Sequence, residues 1–357
     1  MKSIKTLFAG KKRDTVISFG IVILAFIIVQ IMVATGNISS SLKGQLVPIC
    51  AYVVMAVSLN FTVGILGELS LGHAGFMSVG AFAGIVATTS LADTIPFAPL
   101  RLAIAMVIGG ICAAIAGVII GIPVLRLKGD YLAIVTLAFG EIIKNIVNVL
   151  YIGQDGKGLH FSLLEQGFEL EEGGKMIING PMGVSGVAKI STFTSGVVLI
   201  LITLFIILNL INSRTGRAVM AVRDNRIAAE SIGIPVTRCR LLAFVISAAF
   251  AGMAGTLYAM NYSTVTATKF DFNTSILVLV FVVLGGLGNI WGSIIAAALL
   301  TILPELLRAM NDYRMLIYAI LLIAMMIFNN SGIKTRLLEK RAAKKAQKAE
   351  TAGKEGA

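Results

Sequence analysis

Four polar side chains interrupt an otherwise apolar segment of the chain, residues 131–151. They are Glu141, Lys144, Asn145 and Asn148, and their spacing places them on one face of a helix. A charged group at the centre of a bilayer costs about 2.5–3.5 kcal/mol, so it needs a partner or a polar cavity. Glu141 and Lys144 can neutralise each other across one helical turn. The stripe therefore either lines a polar pathway, between subunits or at an outer vestibule, or forms a structural polar seam between helices.

A second group of polar side chains accompanies a glycine-rich interruption, GILGELSLGHAG at 64–75. Glu68, Ser70 and His73 lie within it, and Asn60 precedes it by one to two helical turns. No second histidine, cysteine or carboxylate has metal-ligand spacing with His73, so no metal site is predicted. A histidine in such a place most often packs and hydrogen-bonds, and the alternative is a ligand or ion site.

Another glycine-rich run, LGGLGNIWGS at 284–293, resembles the first. It contributes Gly285, Gly286 and Gly288. In transporters built from repeats, interrupted helices offer freed backbone groups to a polar pathway. Small residues also permit ordinary close packing of helices. The likeness of the two runs therefore predicts either an internal repeat around a pathway or two tight helix contacts.

The elements that must position these residues are membrane helices. Of the 357 residues, 57% are hydrophobic and 13% are charged, and that charge is about half of what a soluble domain carries. Apolar blocks recur at the length of about 20 residues that crosses a bilayer. We predict an all-α polytopic transmembrane helix bundle with about ten crossings, broken or re-entrant helices being allowed near 67–69 and 286–289. The predicted crossings are 16–35, 46–66, 70–91, 102–124, 131–151, 193–212, 241–262, 274–287, 290–303 and 314–329.

The distribution of charge predicts how the bundle is oriented. The net charge of +12 is concentrated in three places, which argues against a nucleic-acid surface and for Lys and Arg on the cytoplasmic side. We predict a cytoplasmic N-terminus (1–15), a membrane domain (16–329) and a basic cytoplasmic tail (330–357). Within the membrane domain, the acidic segment 152–192 is predicted outside and the arginine-rich segment 213–240 inside. The first apolar run exceeds the 7–15 residues or so of a signal-peptide core, so we expect a retained anchor.

Motifs of catalysis and phosphate binding are missing from the sequence. It contains no G-x-x-x-x-G-K-[ST] loop, no G-x-S-x-G and no H-E-x-x-H. Cys50, Cys112 and Cys239 are too widely spaced for a disulfide framework or a metal site. We therefore expect a protein that is not an enzyme and binds no cofactor or metal. If it drives active transport, the energy comes from a partner or an ion gradient.

The polar segment 213–240 separates two strongly apolar stretches. Its sequence predicts a short helix over 224–232, which Asp224 or Asn225 can cap and which Gly233 and Pro235 end. Ala228, Ala229 and Gly233 would give this helix a smooth face, with Arg223, Asp224 and Arg226 at its start. Such a projecting helix either docks into a soluble motor or only fixes the topology by its positive charge.

The motif GRAVMAVRDNRIAAESIGI within this segment resembles the cytoplasmic coupling loop of permease subunits in ABC importers for branched-chain amino acids, of the LivM-like type. Three further stretches match that family in the same order: LSLGHAGFMSVGAFAG (69–84), LRLKGDYLAIVTLAFGEII (125–143) and LGGLGNIWGSIIAAALL (284–300). The likeness spans about 60–300. The outer loop departs from the family, because it has NGPMG at 179–183 and is longer than expected over 153–180.

The resemblance implies a machine of several subunits in the bacterial inner membrane. Its expected parts are this permease in the lipid bilayer, a second homologous permease, two ABC ATPase subunits that hold ATP and Mg²⁺, and an extracytoplasmic substrate-binding protein. The expected cargo is leucine, isoleucine or valine, with urea, amides or other amino acids as alternatives. The residues expected to contact the ATPase are Gly216, Arg217, Arg223, Asp224, Asn225, Ala228, Ala229 and Gly233.

The expected translocation path combines both glycine-rich runs with the polar stripe. It comprises Asn60, Glu68, Ser70, His73, Glu141, Asn145, Gly285, Gly286 and Gly288. A competing hypothesis is a secondary transporter or channel that works alone, with Glu68, Glu141 or His73 as a proton or ion site. A dependence of uptake on ATPase subunits would separate the two hypotheses.

Overall fold

The computed structural model describes residues 2–36, 39–92, 94–127, 129–155, 158–164, 167, 174–307 and single positions between 313 and 327; the side chains of 2–17 are not described. These residues form mainly helices, with five short strands between them. The helices are α1 Lys2–Ala34, α2 Ser40–Asn60, α3 His73–Ser90, α4 Ala98–Val124, α5 Asp130–Asn148, α6 Phe193–Asn212, α7 Arg214–Asp224, α8 Arg226–Ser231, α9 Val236–Ala259, α10 Phe272–Gly285 and α11 Ile290–Leu306. The strands are β1 Leu150–Asp155, β2 Gly158–Leu163, β3 Lys175–Asn179, β4 Val184–Ser185 and β5 Thr264–Val265.

The chain divides into two units, Met1–Ile302 and Leu303–Ala357. The second unit is described only in part, and the predicted tail 330–357 lies outside the described residues. All contacts discussed below are within the first unit.

Five helices in the described part are long and apolar enough to cross a membrane: Ser40–Leu66, Ala98–Val124, Phe193–Asn212, Val236–Ala259 and Ala267–Gly285. Ser18–Ala34 and Ile290–Leu306 are shorter apolar helices. A helical membrane bundle is therefore confirmed. The count of about ten crossings stays a prediction, because the last predicted crossing, 314–329, lies mostly outside the described residues.

The centre of the first unit is α2, whose membrane-length stretch is 89% buried. It packs against α6, α9 and α10, and α9 in turn packs closely against α3 and α4 through small residues. A Cβ on Gly80 would overlap the backbone of Gly252, and a Cβ on Gly255 would overlap the carbonyl of Met77. Glycine at these positions lets the helix backbones touch, which is how membrane helices associate when lipid removes the hydrophobic driving force.

The prediction that the fold is all-α is wrong for the segment 152–192. Three antiparallel strands form a sheet in the order β2-β1-β3, with Leu150 opposite Leu163 and Ile152 opposite both Phe161 and Ile178. A second pair joins β4 to β5. The alternation of apolar residues in β2 predicts a strand, but the glutamates that follow β2 favoured an outer loop over the whole segment.

Candidate functional site

The two glycine-rich runs meet in space. After α2, a π-helical turn at Phe61–Leu66 ends in Gly67, whose φ of +81° is left-handed, and no helix follows until His73. The second run lies between α10 and α11, with φ of +97° at Gly286 and +78° at Gly288. Both interruptions predicted from the sequence are therefore real breaks between helices, and they face each other.

Asn60 joins the two breaks. Its side chain is fully buried, donates from Nδ2 to Ser293 Oγ at 2.9 Å, and accepts at Oδ1 from the backbone nitrogen of Gly288 at 2.8 Å. A Cβ on Gly64 would overlap both Asn60 Oδ1 and the Gly288 nitrogen. The breaks are thus held together by a satisfied amide and by glycines that let the backbones approach.

His73 begins α3 directly after the first break and is only 2% exposed. Its Nε2 is 2.9 Å from Ser58 Oγ, and the carbonyl of Ser58 accepts from Ser247 Oγ at 2.6 Å. No group of three metal-ligand side chains occurs among the described residues. Nearby Ser70 is also buried, and its hydroxyl has no hydrogen-bond partner in the described structure. The contacts of His73 are those of a packing residue that connects α2, α3 and α9.

The polar stripe of α5 reaches the start of α10. Glu141 pairs with Lys144, as the spacing predicted. Its Oε1 also accepts from the backbone nitrogen of Phe272 at 3.2 Å, next to Asp271, which caps α10. Asn145, one turn further along, is exposed. The stripe is therefore partly a seam between α5 and α10 and partly an open polar surface.

The segment 213–240 folds as a short helical hairpin. Ser213 caps α7 by accepting from the Gly216 nitrogen at 3.1 Å, and Asn225 caps α8 by accepting from the Ala228 nitrogen at 3.0 Å. Gly233, with a φ of +84°, reverses the chain after α8. The predicted helix is confirmed, with Asn225 rather than Asp224 as its cap.

Two exposed isoleucines mark α8 and the residue after it. Ile227 is 81% exposed and Ile232 is 75% exposed, whereas the predicted contact residues Gly216 and Ala229 are buried within the chain. Ala228 is exposed beside them. The isoleucines were missed by the sequence analysis, although large apolar residues in a polar loop are a signal of a docking surface.

Arg223 links this hairpin to the first break. Its Nη1 donates to the carbonyl of Gly64 at 3.1 Å, and its Nη2 is 3.0 Å from Asp224 Oδ1. A Cβ on Gly67 would come within 2.5 Å of Arg223 Cγ, so glycine makes room for the arginine stem. Displacing α7 would therefore pull directly on the π-helical turn.

An ion pair between Glu68 and Arg240 forms a second link, which the sequence analysis did not predict. Arg240 is 4% exposed, and it also donates to the carbonyls of Leu125 and Leu127 at the end of α4, the latter at 3.3 Å. Burial raises the pKa of the Glu68 carboxyl above its ordinary value, and the Arg240 guanidinium opposes this rise. The pair ties the first break to the start of α9 and the end of α4.

Comparison with known proteins identifies the family. Residues 41–327 match the family model described as branched-chain amino acid transport system / permease component. The high-affinity branched-chain amino acid permeases LivM of Salmonella typhimurium and Escherichia coli are each 38% identical over 292 residues, covering 79% of this chain and 67% of theirs. The L-arabinose permease AraH of Azospirillum brasilense is 27% identical over 226 residues, covering 62% and 58%. No solved structure matches the chain. The chain therefore belongs to the family of permease components of branched-chain amino acid transport systems.

Proposed function

We propose that this chain is one of two permease subunits of an ATP-driven importer for branched-chain amino acids. It would cross the bacterial inner membrane about ten times, with both termini and the α7–α8 hairpin in the cytoplasm, as the positive-inside rule requires. The ATPase partners would hold ATP and Mg²⁺, and an extracytoplasmic binding protein would deliver the cargo. Family membership supports the general role, and the names of the two 38% identical relatives support the cargo.

The observation that carries the coupling role is the form of α8. It is a helix of six residues capped by Asn225, with Ile227 on the helix and Ile232 directly after it both exposed to solvent. An apolar pair exposed on a charged loop is costly in water and becomes favourable when a groove of a partner covers it. Arg223 and Asp224, the last two residues of α7, can add charged contacts beside it. We infer that α8 seats in an ATPase subunit.

Movement of α8 would reach the membrane helices through Arg223. The Arg223–Gly64 hydrogen bond ends on the π-helical turn, where Gly64 contacts Gly288 of the other break. A rigid displacement of the hairpin on ATP binding would therefore shift both breaks together. Helix interruptions of this kind are where transporters change conformation.

The proposed translocation path uses the expected residues in two ways. Glu141 and Asn145 offer polar groups at the surface of α5, where a second permease would complete the passage. Asn60, Ser70 and His73 are buried inside the chain, and with Glu68, Gly285, Gly286 and Gly288 they would set the positions of the breaks that open or close that passage.

Co-purification tests the coupling proposal. The variant Ile227→Glu with Ile232→Glu places two charges on the docking surface, and the ATPase subunits should no longer follow the tagged chain. Met182→Glu is the matched control: Met182 is 73% exposed but lies in the outer loop, so ATPase recovery should equal that of the wild type. Full recovery with the double variant would contradict docking through α8.

Two alternatives remain to be tested: transport assays in proteoliposomes test the energy source, and binding assays test the cargo. Uptake that persists without any ATPase subunit and collapses with a protonophore would favour a secondary transporter using Glu68, Glu141 or His73. Cargo requires a binding assay on the extracytoplasmic protein with leucine, isoleucine, valine, urea and short amides. Because the similarity extends to a permease named for L-arabinose, a sugar belongs in the same panel.

A further inference from the structure

A cavity of about 430 Å³ lies beside the second break, on the side of Arg223 that faces α6 and α11. The lining residues with polar side chains are Ser18, Asn212, Arg223, Asn289 and Trp291. Apolar side chains such as Ile65 and Leu208 complete the wall. Cavities of this size with a few convergent polar groups hold small ligands or parts of larger ones. The cavity borders the proposed path at Gly288 and the hairpin at Arg223, but neither proposal assigns an occupant to it.

The cavity lies at the depth of the membrane boundary. Three apolar helices have an end at its wall: Ser18 begins the apolar part of α1, Asn212 ends α6, and Ile290 begins α11. The arginine-rich helix α7 starts directly after α6, so this boundary is the cytoplasmic one by the positive-inside rule. A cavity at this depth meets lipid headgroups on one side and acyl chains on the other.

The charges at the cavity favour an anion. Arg223 gives three of its five N–H groups to Gly64 and Asp224, which leaves two for a ligand. Arg217 does not line the cavity, but its Nη1 donates to the carbonyl of the lining residue Asn212 at 3.0 Å, so a second cation lies close by. Asp224 offsets part of this charge, but its carboxylate lies on the exposed side of Arg223 and does not line the cavity.

Exposed apolar stripes run from the cavity into the membrane. On α11, Trp291, Ile295 and Leu299 follow at four-residue intervals and are 38%, 41% and 45% exposed. On α1, Ile27 and Ile31 are 51% and 57% exposed. A free anion would make no use of these stripes, whereas the acyl chains of a lipid would cover them. The combination of a cationic cavity and apolar stripes fits one class of ligand.

We propose that this cavity binds the headgroup of an anionic glycerophospholipid from the inner leaflet. Its phosphate would accept hydrogen bonds from Arg223, its glycerol region would contact the amides of Asn212 and Asn289, and its acyl chains would lie along α11 and α1. Such basic pockets between membrane helices on the cytoplasmic side are suited to anionic headgroups. Because Arg223 also donates to the carbonyl of Gly64, a bound lipid would act on the hydrogen bond that connects the hairpin to the first break. This site goes beyond the proposed function and shares with it only the cytoplasmic placement of the hairpin and the residue Arg223.

Lipid titration of the purified full-length chain in detergent tests the site. The probes are phosphatidylglycerol, phosphatidylcholine with the same acyl chains, and inorganic phosphate alone; bound lipid is counted by native mass spectrometry, and binding constants come from thermal shifts. Asn289→Asp keeps the oxygen that accepts from the Gly292 nitrogen but adds a negative charge to the cavity. Asn225→Asp is the matched control, because it adds the same charge at another helix cap outside the cavity.

The wild type and Asn225→Asp should bind phosphatidylglycerol in preference to phosphatidylcholine. Asn289→Asp should bind phosphatidylglycerol about fivefold more weakly, as expected for one unfavourable charge near a headgroup. A second variant, Leu287→Trp, fills the cavity without changing its charge and should weaken binding of both lipids. Equal phosphatidylglycerol affinity in all four proteins would overturn the proposal. Binding of inorganic phosphate as tight as that of phosphatidylglycerol would overturn the lipid assignment in favour of a free-anion site.

Discussion

At the scale of single residues, glycines and one asparagine define the junction of the two breaks. Gly64 is needed because the backbone of Gly288, in the other break, occupies the space that a Cβ would take, and Gly285 is needed because the backbone of Gly292 and Ser293, at the start of α11, does the same. Asn60 is needed because a buried amide must find partners, and Gly288 and Ser293 supply them. These residue types were conspicuous in the sequence, but their meeting depends on contacts between positions more than 220 residues apart.

Gly64→Ala should destabilise the chain severely. The added Cβ would overlap Asn60 Oδ1 and the Gly288 backbone, and the backbone cannot move aside without separating the breaks. Overpacking of a tight contact costs at least about 1–3 kcal/mol. Gly44→Ala is the control in the same helix, because nothing lies within 4 Å of its Cβ position. Thermal unfolding in detergent and folded yield measure the effect, and equal stability of the two variants would contradict the proposed junction.

At the scale of elements, helices could be predicted from the sequence far better than strands. Apolar blocks of membrane length predicted α4, α6 and α9 to within a few residues, since the bilayer fixes their length, whereas α2 begins at Ser40, well before the predicted crossing 46–66. The cap at Asn225 and the turn at Gly233 were also predictable, because both are local. The sheet of β1, β2 and β3 was missed although β1 and β2 form a local hairpin, because the glutamates between β2 and β3 favoured an outer loop. The Glu68–Arg240 pair was missed for a different reason, since it joins residues 172 positions apart.

A double-mutant cycle should show that Glu68 and Arg240 act as a unit. Arg240→Met leaves a buried carboxylate unpaired and should cost about 3–5 kcal/mol of stability. Glu68→Gln with Arg240→Met should cost less than the sum of the single changes by at least about 1 kcal/mol. Some loss of stability will remain in the double variant, because Arg240 also donates hydrogen bonds to the carbonyls of Leu125 and Leu127.

Chemical unfolding of the four proteins measures the interaction energy of this pair. Glu230→Gln is the control for removing a charge, because Glu230 is exposed on α8, and it should change stability by less than about 0.5 kcal/mol. Strict additivity of the two single changes would show that the ion pair contributes nothing to the fold.

At the scale of the whole molecule, the contacts form a continuous route from the hairpin to both breaks. It runs from α8 through Arg223 to Gly64, and from Gly64 to Gly288. A second connection, through Arg240 and Glu68, anchors the same break to α4 and α9. The contact through Arg223 can transmit motion, while the contact through Arg240 and Glu68 can limit it. A force applied at α8 would therefore move the two breaks without separating the surrounding helices.

Gly233 tests whether the geometry of the hairpin matters for transport. Its φ of +84° favours glycine, and the space around it is open, so a substitution strains the backbone without causing a clash. Gly233→Val should strain this turn by about 1–2 kcal/mol and redirect α8, so ATP-driven uptake should be lost while membrane insertion is retained. Gly233→Asn is the matched control, since asparagine tolerates the left-handed region, and it should keep most uptake. Uptake is measured in proteoliposomes with the full set of subunits, and insertion by quantifying the chain in membranes. Normal uptake by Gly233→Val would count against a coupling role for the hairpin, because the backbone at its tip would then be free to change without consequence.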